Sequence, residues 1–473
     1  VMRTCFHVGS MNSKAMELLG INKDTVGKYG EYAELWPDGT PNGVVKEIVL
    51  DDIKCNLPAP SLDQLLEKLI ESQHDLFEYG ITSVQSDDFK YFPDGGAYDM
   101  MARIRKASDR GELKLRIAEQ ALMYSLEEMY RITGDNTYAD LLERVTYNAL
   151  PTQITDDGNT RQYYHQINQV EVTRKQRNFS TPHEDTDILF GILTGYPCCT
   201  CNLHQAWPKF VQNLWLKTAE GGIAAMVYAP SKLSTTLASG ARVEIHEQTC
   251  YPFEEQIRFS ISLPDRKHRS AEFPFELRIP EWSDKYTLTV NGQAVKADDV
   301  RKGAIRINRT WSDGDEVILT LNAPVRTTSW YDRAAVIERG PLVYALRMEE
   351  NWQKHICEGD DKVQLGEYYY EVTSTTPWNV ALMGADLNDD KIQQSFIVEK
   401  GACSDKPWSL ESAPIKIKAK GRILPEWTMN RNSAGDFCYY TQQAPEGEVG
   451  EEVDIELIPF GCTTLRVTEF PVR

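Results

Sequence analysis

A chain of 473 residues, 41% of them hydrophobic, is long enough for about two or three domains with cores of their own. Its 51 Lys+Arg against 70 Asp+Glu leave a formal charge of −19, which repels a nucleic-acid backbone or an anionic membrane surface and suits neutral or cationic ligands. No stretch approaches the roughly 18 apolar residues of a membrane span, and Val1-Met2-Arg3-Thr4-Cys5-Phe6-His7 lacks a signal peptide's apolar run, so the expectation is a soluble, cytoplasmic protein with no nucleic-acid or membrane partner.

Residues 1–117 mix short apolar runs, helical stretches and glycine turns. Leu62, Leu65, Leu66, Leu69, Ile70 and Leu76 predict a helix over Ser61 to Tyr79, closed by Gly80 and followed by a strand at Ile81-Thr82-Ser83-Val84, an α/β pattern. The register then changes. Leu122, Leu126, Met129 and Ile132 form one helical stripe ending at Gly134, and Leu141, Leu142 and Val145 form a second ending before Pro151, which predicts an αα-hairpin. A further helix is predicted from Ala206 to Leu216. From about Ala224 the apolar period becomes two: Val243/Ile245, Ile257/Phe259/Ile261, Leu288/Val290, Ile305/Ile307 and Val317/Leu319/Leu321 alternate with polar neighbours. Asn291-Gly292 after Val290 signals a hairpin and Asp313-Gly314-Asp315 another turn, so residues 232–473 are expected to form an antiparallel β-sandwich. The fold class is thus multidomain α+β: an α/β fragment (1–117), a helical region (118–231) and a sandwich region (232–473).

Ten cysteines are too few for a disulfide scaffold. Cys5, Cys55, Cys250, Cys357, Cys403, Cys438 and Cys462 stand alone and read as small buried hydrophobes. Cys198, Cys199 and Cys201 cluster ahead of the Ala206 helix. Free amide groups and the dipole at a helix start stabilise a thiolate, the form that attacks carbon or binds metal, and adjacent cysteines do not readily bond to each other. The cluster therefore reads as a metal or nucleophile site or as buried thiols, with His204 a packing residue or a ligand.

The segment Tyr124-Ser125-Leu126-Glu127, Ile132-Thr133-Gly134-Asp135, Leu142-Glu143-Arg144, Tyr147-Asn148-Ala149-Leu150-Pro151, Arg161-Gln162-Tyr163-Tyr164, Asn168-Gln169-Val170, Leu193 to Thr200 and His204 to Phe210 resembles the bacterial β-L-arabinofuranosidase family of glycoside hydrolases. Leu277-Arg278-Ile279-Pro280, Val290-Asn291-Gly292, Arg339 to Tyr344 and Leu457 to Thr463 continue the resemblance, which covers residues 118–473. It implies part of an (α/α) toroid before the sandwich and a retaining, Zn²⁺-dependent hydrolase of arabinose-containing carbohydrates. It further implies that Cys198 is the nucleophile, that Cys198 and Cys199 bind the metal and that Tyr164 lines the sugar site. A zinc-bound thiolate attacks without a general base, while a carboxylic acid elsewhere protonates the leaving oxygen.

The family's Glu-x-Cys half-site falls near Leu115-Arg116-Ile117, where neither residue type stands; Glu119 is the nearest carboxylate and Ala121 follows it where cysteine would be. The expectation is weak or partial zinc binding and doubtful activity, down to an inactive carbohydrate-binding remnant or a chimeric chain. The preceding residues, His7, Asn12-Ser13-Lys14-Ala15, Gly43-Val44, Gly80 to Gln85 and Gly111 to Arg116, resemble an internal piece of the imidazolonepropionase-like, YtcJ-like amidohydrolases, without their His-x-His motif. Incomplete barrels leave apolar faces uncovered, which favours a homo-oligomer.

Overall fold

The computed structural model describes residues 8–46, 49–50, 61–78, 83–85, 99–100, 103–104, 106–107, 116–118, 120–177, 185–195, 203–265, 269–301, 303–330, 334–383, 395–435 and 450–472. The chain divides into two units, Val1–Leu69 and Ile70–Arg473.

In the first unit, strand Pro41–Lys46 lies between Val8–Ser10 and Ala33–Leu35, antiparallel to both. Asn12 starts the Ser13–Leu18 helix by accepting the Ala15 amide at 2.9 Å, which satisfies a donor that the first turn leaves open. Ile21, Val26, Tyr29, Ala33, Val45, Val49 and Leu50 form the core. The predicted helix after Ser61 spans Leu62–Glu78. It opens with a reciprocal cap: Ser61 Oγ accepts the Gln64 amide and Gln64 Oε1 accepts the Ser61 amide. Gly80, Ile81 and Thr82 lie outside the described residues; the strand that follows at Ser83–Gln85, parallel to Arg116–Ala118, belongs to the second unit.

The second unit contains the predicted helical hairpin, Gln120–Thr133 and Asn136–Asn148. Gly134 takes a φ of 67°, and the Asp135 carboxylate accepts the Thr137 amide to start the second helix. The buried face of the first helix differs from the predicted stripe. Met123, Leu126, Met129 and Tyr130 are buried, whereas Ile132 is 62% exposed, because the face turns toward Tyr130 and its hydrogen bond with Arg301. The helix predicted to run to Leu216 ends at Gln212. Trp215–Lys217 is instead a strand beside Ile223–Ala225, which places the Trp215 ring against Phe259 and Phe275. Packing of an aromatic side chain between sheets thus overrides the helical spacing.

Two sheets form the first sandwich. One has six strands in the order Gln293–Ala294, Tyr286–Val290, Glu316–Leu321, Gln256–Ser262, Arg242–Gln248 and Ser231–Thr236. The other has five, in the order Asp298–Arg301, Ala304–Ser312, Ser270–Arg278, Ile223–Ala225 and Trp215–Lys217. Every apolar residue of the predicted alternating runs is buried, and Phe259 meets Phe275 edge to face at 5.3 Å. Asn291 and Gly292 carry φ of 50° and 76°, as a two-residue hairpin requires. A third sheet runs Val325–Ser329, Ala335–Arg339, Leu342–Leu346, Glu452–Pro459, Ile415–Ile423 and Val380–Leu382, with Ile397–Lys400 also on Ile415–Ile423. Ser270–Arg278 runs parallel to Ile223–Ala225, a strand that lies ahead of the 232–473 region expected to be antiparallel; three strands of the six-stranded layer, Ser231–Thr236, Arg242–Gln248 and Gln256–Ser262, come between them in sequence.

Polar side chains join the hairpin to the sheets. Arg278, fully buried, donates to Glu143 at 2.6 Å, to Asp140 and to the Met226 carbonyl. Glu143 also accepts from Tyr251 and from Trp282 Nε1. Asn148 donates to the Pro341 carbonyl at 2.9 Å and accepts the Val343 amide at 2.7 Å, while Arg144 pairs with Glu338. Cys250 and Cys403 form a disulfide, which corrects their reading as isolated thiols; antiparallel-sheet loops bring their Cα atoms to 6.3 Å across 153 residues of sequence. Cys357 and Cys462 are free and buried.

Candidate functional site

Cys198, Cys199, Cys201 and Glu119 lie outside the described residues, as do the upstream Leu115 and the rest of 108–115. What the structure provides is the frame on either side of the cysteine segment. On the entry side, Thr194 is fully buried and its hydroxyl donates to the Leu189 carbonyl at 3.0 Å. Gly195 follows with φ of 64°, so close to Tyr163 that a Cβ there would lie 2.5 Å from the ring. Only glycine satisfies both the left-handed backbone and the contact. On the exit side, Leu203 packs on the main core, and the Ala206–Gln212 helix buries Ala206 and Phe210, the latter edge-on to Tyr147 at 5.8 Å.

Tyr164, the predicted sugar-lining residue, is half-buried, 4.5 Å from the Tyr163 ring, and its amide donates to the Asp187 carbonyl. Gly195 against Tyr163 therefore brings the start of the cysteine segment to the Tyr163-Tyr164 pair. The neighbouring motifs act as its support. Gln162 Nε2 donates to the Ile188 carbonyl at 2.6 Å and to Gln169 Oε1 at 3.0 Å, and Gln169 Nε2 donates to the Thr464 carbonyl. Asn168 accepts the Thr468 and Glu469 amides. These amides tie the segment around the tyrosine pair to Thr464, Thr468 and Glu469, beyond the last strand.

His204 is exposed. Among the described residues no three His, Cys, Asp or Glu side chains stand together as a metal donor set. The residues expected to hold zinc, Cys198 and Cys199, lie outside the described residues.

Two ionisable residues escaped the sequence reading. His165 is half-buried with Nδ1 3.0 Å from Thr152 Oγ1; desolvation, then the Arg466 charge, push its pKa down to about 3, so it stays neutral and acts as a brace. Glu127 is 2% exposed, with Oε2 accepting from Asn213 Nδ2 at 2.7 Å and Oε1 without a hydrogen bond. Burial raises its pKa to about 7, with the Asn213 bond and the Lys209 charge opposing. The signal was a glutamate on the apolar face of the hairpin, one turn after Met123.

Residues 118–212 match the family model described as the β-L-arabinofuranosidase GH127 catalytic domain, and residues 222–323 match that of the GH127 middle domain. A comparison with curated proteins gives no match. A solved GH127 β-L-arabinofuranosidase from Geobacillus stearothermophilus T6 is 22% identical, with 75% of this chain and 49% of that one covered and a TM-score of 0.51. A structure described as a glycoside hydrolase gives 22% identity, 74% and 51% coverage and a TM-score of 0.51. A GH127 β-arabinofuranosidase gives 18% identity, 74% and 48% coverage and the same TM-score of 0.51. At such identities the likeness is one of fold, and the chain spans about half the length of the solved structures it matches.

Proposed function

We propose that residues 118–473 are the later part of a retaining β-L-arabinofuranoside hydrolase in which the Cys198 thiolate attacks the anomeric carbon. The observation that supports this reading is the ordered match of the catalytic and middle domains, the first of which contains the cysteine segment, with Gly195 at that segment's entry packed against Tyr163. In this reading Cys198 and Cys199 are the metal ligands and Tyr164 contacts the sugar. Zn²⁺, where held there, keeps the thiols deprotonated; Cys201, His204, Glu119 or water completes the shell, so binding is weaker than in a four-ligand cage. A carboxylic acid must protonate the leaving oxygen and later activate water, and the loss of such help removes about 10²–10⁴ in rate.

The expected result is trace hydrolysis of an aryl β-L-arabinofuranoside, whose leaving group needs the acid least, and none of a natural disaccharide. Zinc content and turnover of the purified chain beside Cys198→Ser are the measurement. Activity unchanged by the substitution removes Cys198 as nucleophile; stoichiometric zinc with disaccharide turnover, abolished by the substitution, shows that the upstream ligands were misassigned. A second reading, a carbohydrate-binding remnant without catalysis, is favoured by Leu115-Arg116-Ile117 and Ala121 standing where Glu-x-Cys belongs. The amidohydrolase resemblance of residues 1–116 adds no activity to this proposal, since its metal ligands are not in the sequence. The Cys250–Cys403 bond favours an oxidising compartment over the cytoplasm. Among the described residues no helix is long and apolar enough to cross a membrane.

A further inference from the structure

A cavity of about 370 Å³ opens beside the Pro151–Gln153 turn, and none of its lining belongs to the cysteine segment. Its walls are aromatic. Trp352, on strand Asn351–Ile356, is 36% exposed, stands edge-on to Tyr370 at 5.7 Å and is backed by Phe190 at 5.2 Å. Trp408 also lines the cavity, stacked on Tyr147 at 6.1 Å and set against Gly461, where a Cβ would come within 2.7 Å of the ring. The floor is fixed by Glu350, whose Oε1 accepts the Thr464 and Leu465 amides at 2.6 and 2.9 Å and whose Oε2 accepts Trp352 Nε1 at 3.0 Å. Asp156 and Glu411 stand on the lining as well; burial, then the Glu411 charge, raise the Asp156 pKa, with Lys406 opposing. The disulfide at Cys403 ties down the segment that carries Trp408 and Glu411.

We propose that this cavity binds one unit of a neutral saccharide, its C–H face against Trp352 and Tyr370 and its hydroxyls donating to Asp156 and Glu411. The volume falls in the range of small-molecule sites, and a pocket with aromatic walls and a few fixed polar groups suits a ligand that is apolar on its faces and polar at its rim. The carboxylates repel an anionic sugar. A divalent cation fits less well: among the described residues no three carboxylate, histidine or cysteine side chains are close enough together to hold a metal, Glu350 already accepts from Trp352 and two amides, and the tryptophans would give a cation nothing. That the ligand is a sugar of the arabinose class rests on the glycosidase reading; the cavity's geometry does not.

The test is calorimetric titration of the full chain with methyl β-L-arabinofuranoside, arabino-oligosaccharides and a galactose-based disaccharide. Calcium chloride is titrated alone as a control. Wild type is compared with Trp352→Ala, Trp352→Phe, Asp156→Asn/Glu411→Gln and Cys198→Ser. Trp352→Ala and the double variant should weaken saccharide binding at least about tenfold, or 1.4 kcal/mol, with Trp352→Phe in between. Binding lost in Cys198→Ser but kept in Trp352→Ala overturns it and leaves the glycosidase reading standing. A galactoside bound through Trp352 while arabinosides are ignored supports the cavity and counts against the arabinose class. Calcium bound through Asp156 and Glu411 without any saccharide, or no saccharide binding at millimolar concentration, overturns the proposal.

Discussion

The first sandwich and the helical hairpin bury side chains of opposite character. In the sandwich, Val243, Ile245, Ile257, Phe259, Ile261, Val317 and Leu319 are all fully buried on alternating positions, and two sheets supply one another's apolar face. In the hairpin, Glu127, Glu143, Asn148 and Thr146 are buried beside the leucines, and contact with the sheets runs through Glu143–Arg278, Asn148–Val343 and Arg144–Glu338. A layer closed by alternation needs only that its residues be apolar and fit. Two helices laid on sheet edges must satisfy strand-end carbonyls and amides, and polar side chains do that. Leu142-Glu143-Arg144, Tyr147-Asn148 and Leu277-Arg278 therefore serve as joints between layers, although they are also the motifs by which the family resemblance is recognised.

The sharpest way to break this contrast is Glu143→Ala. It leaves Arg278 buried without its carboxylate and should cost about 3–5 kcal/mol in denaturant unfolding, whereas Ile257→Val in the sandwich should cost about 0.5–1.5 kcal/mol. A Glu143→Ala cost under about 1 kcal/mol would mean that Asp140 alone neutralises Arg278 and that the joint bears little weight. Next in size is the disulfide, which closes 153 residues between the sandwich and the third sheet's approach loop; Cys250→Ser/Cys403→Ser should lose about 2–4 kcal/mol. Dithiothreitol should lower the melting temperature of the wild type to that of the double variant and leave the variant unmoved.

The smallest effect concerns Glu127. Its pKa rises from 4.5 unfolded to about 7 folded, so between those pH values the native state holds more protons than the unfolded one. Stability from this group is intact below pH 4.5 and declines as pH rises through 7. Glu127→Gln keeps an acceptor for Asn213 and removes the titration. It should flatten that part of the pH–stability curve and gain about 1 kcal/mol at neutral pH after solvent screening. An unchanged slope would place the titration elsewhere in the hairpin.

The sequence by itself determined the elements whose causes are local. Period-two runs predicted the sandwich strands, Asn291-Gly292 its hairpin, and Gly134 the end of the first helix of the helical hairpin, because side-chain alternation and positive φ act over a few residues. It also showed motifs resembling a glycoside hydrolase family; the two domain matches cover those from Tyr124 to Gly292, whereas Arg339 to Tyr344 and Leu457 to Thr463 lie beyond them. Only the tertiary structure decided that the helix after Ala206 stops at Gln212, since the Trp215 ring is held between Phe259 and Phe275. The same holds for the pairing of Cys250 with Cys403, the burial of Glu127 and the meeting of Trp352, Trp408 and Glu411 around one cavity. Each of these depends on residues tens to hundreds of positions apart, and no local pattern encodes which distant strand will stand opposite.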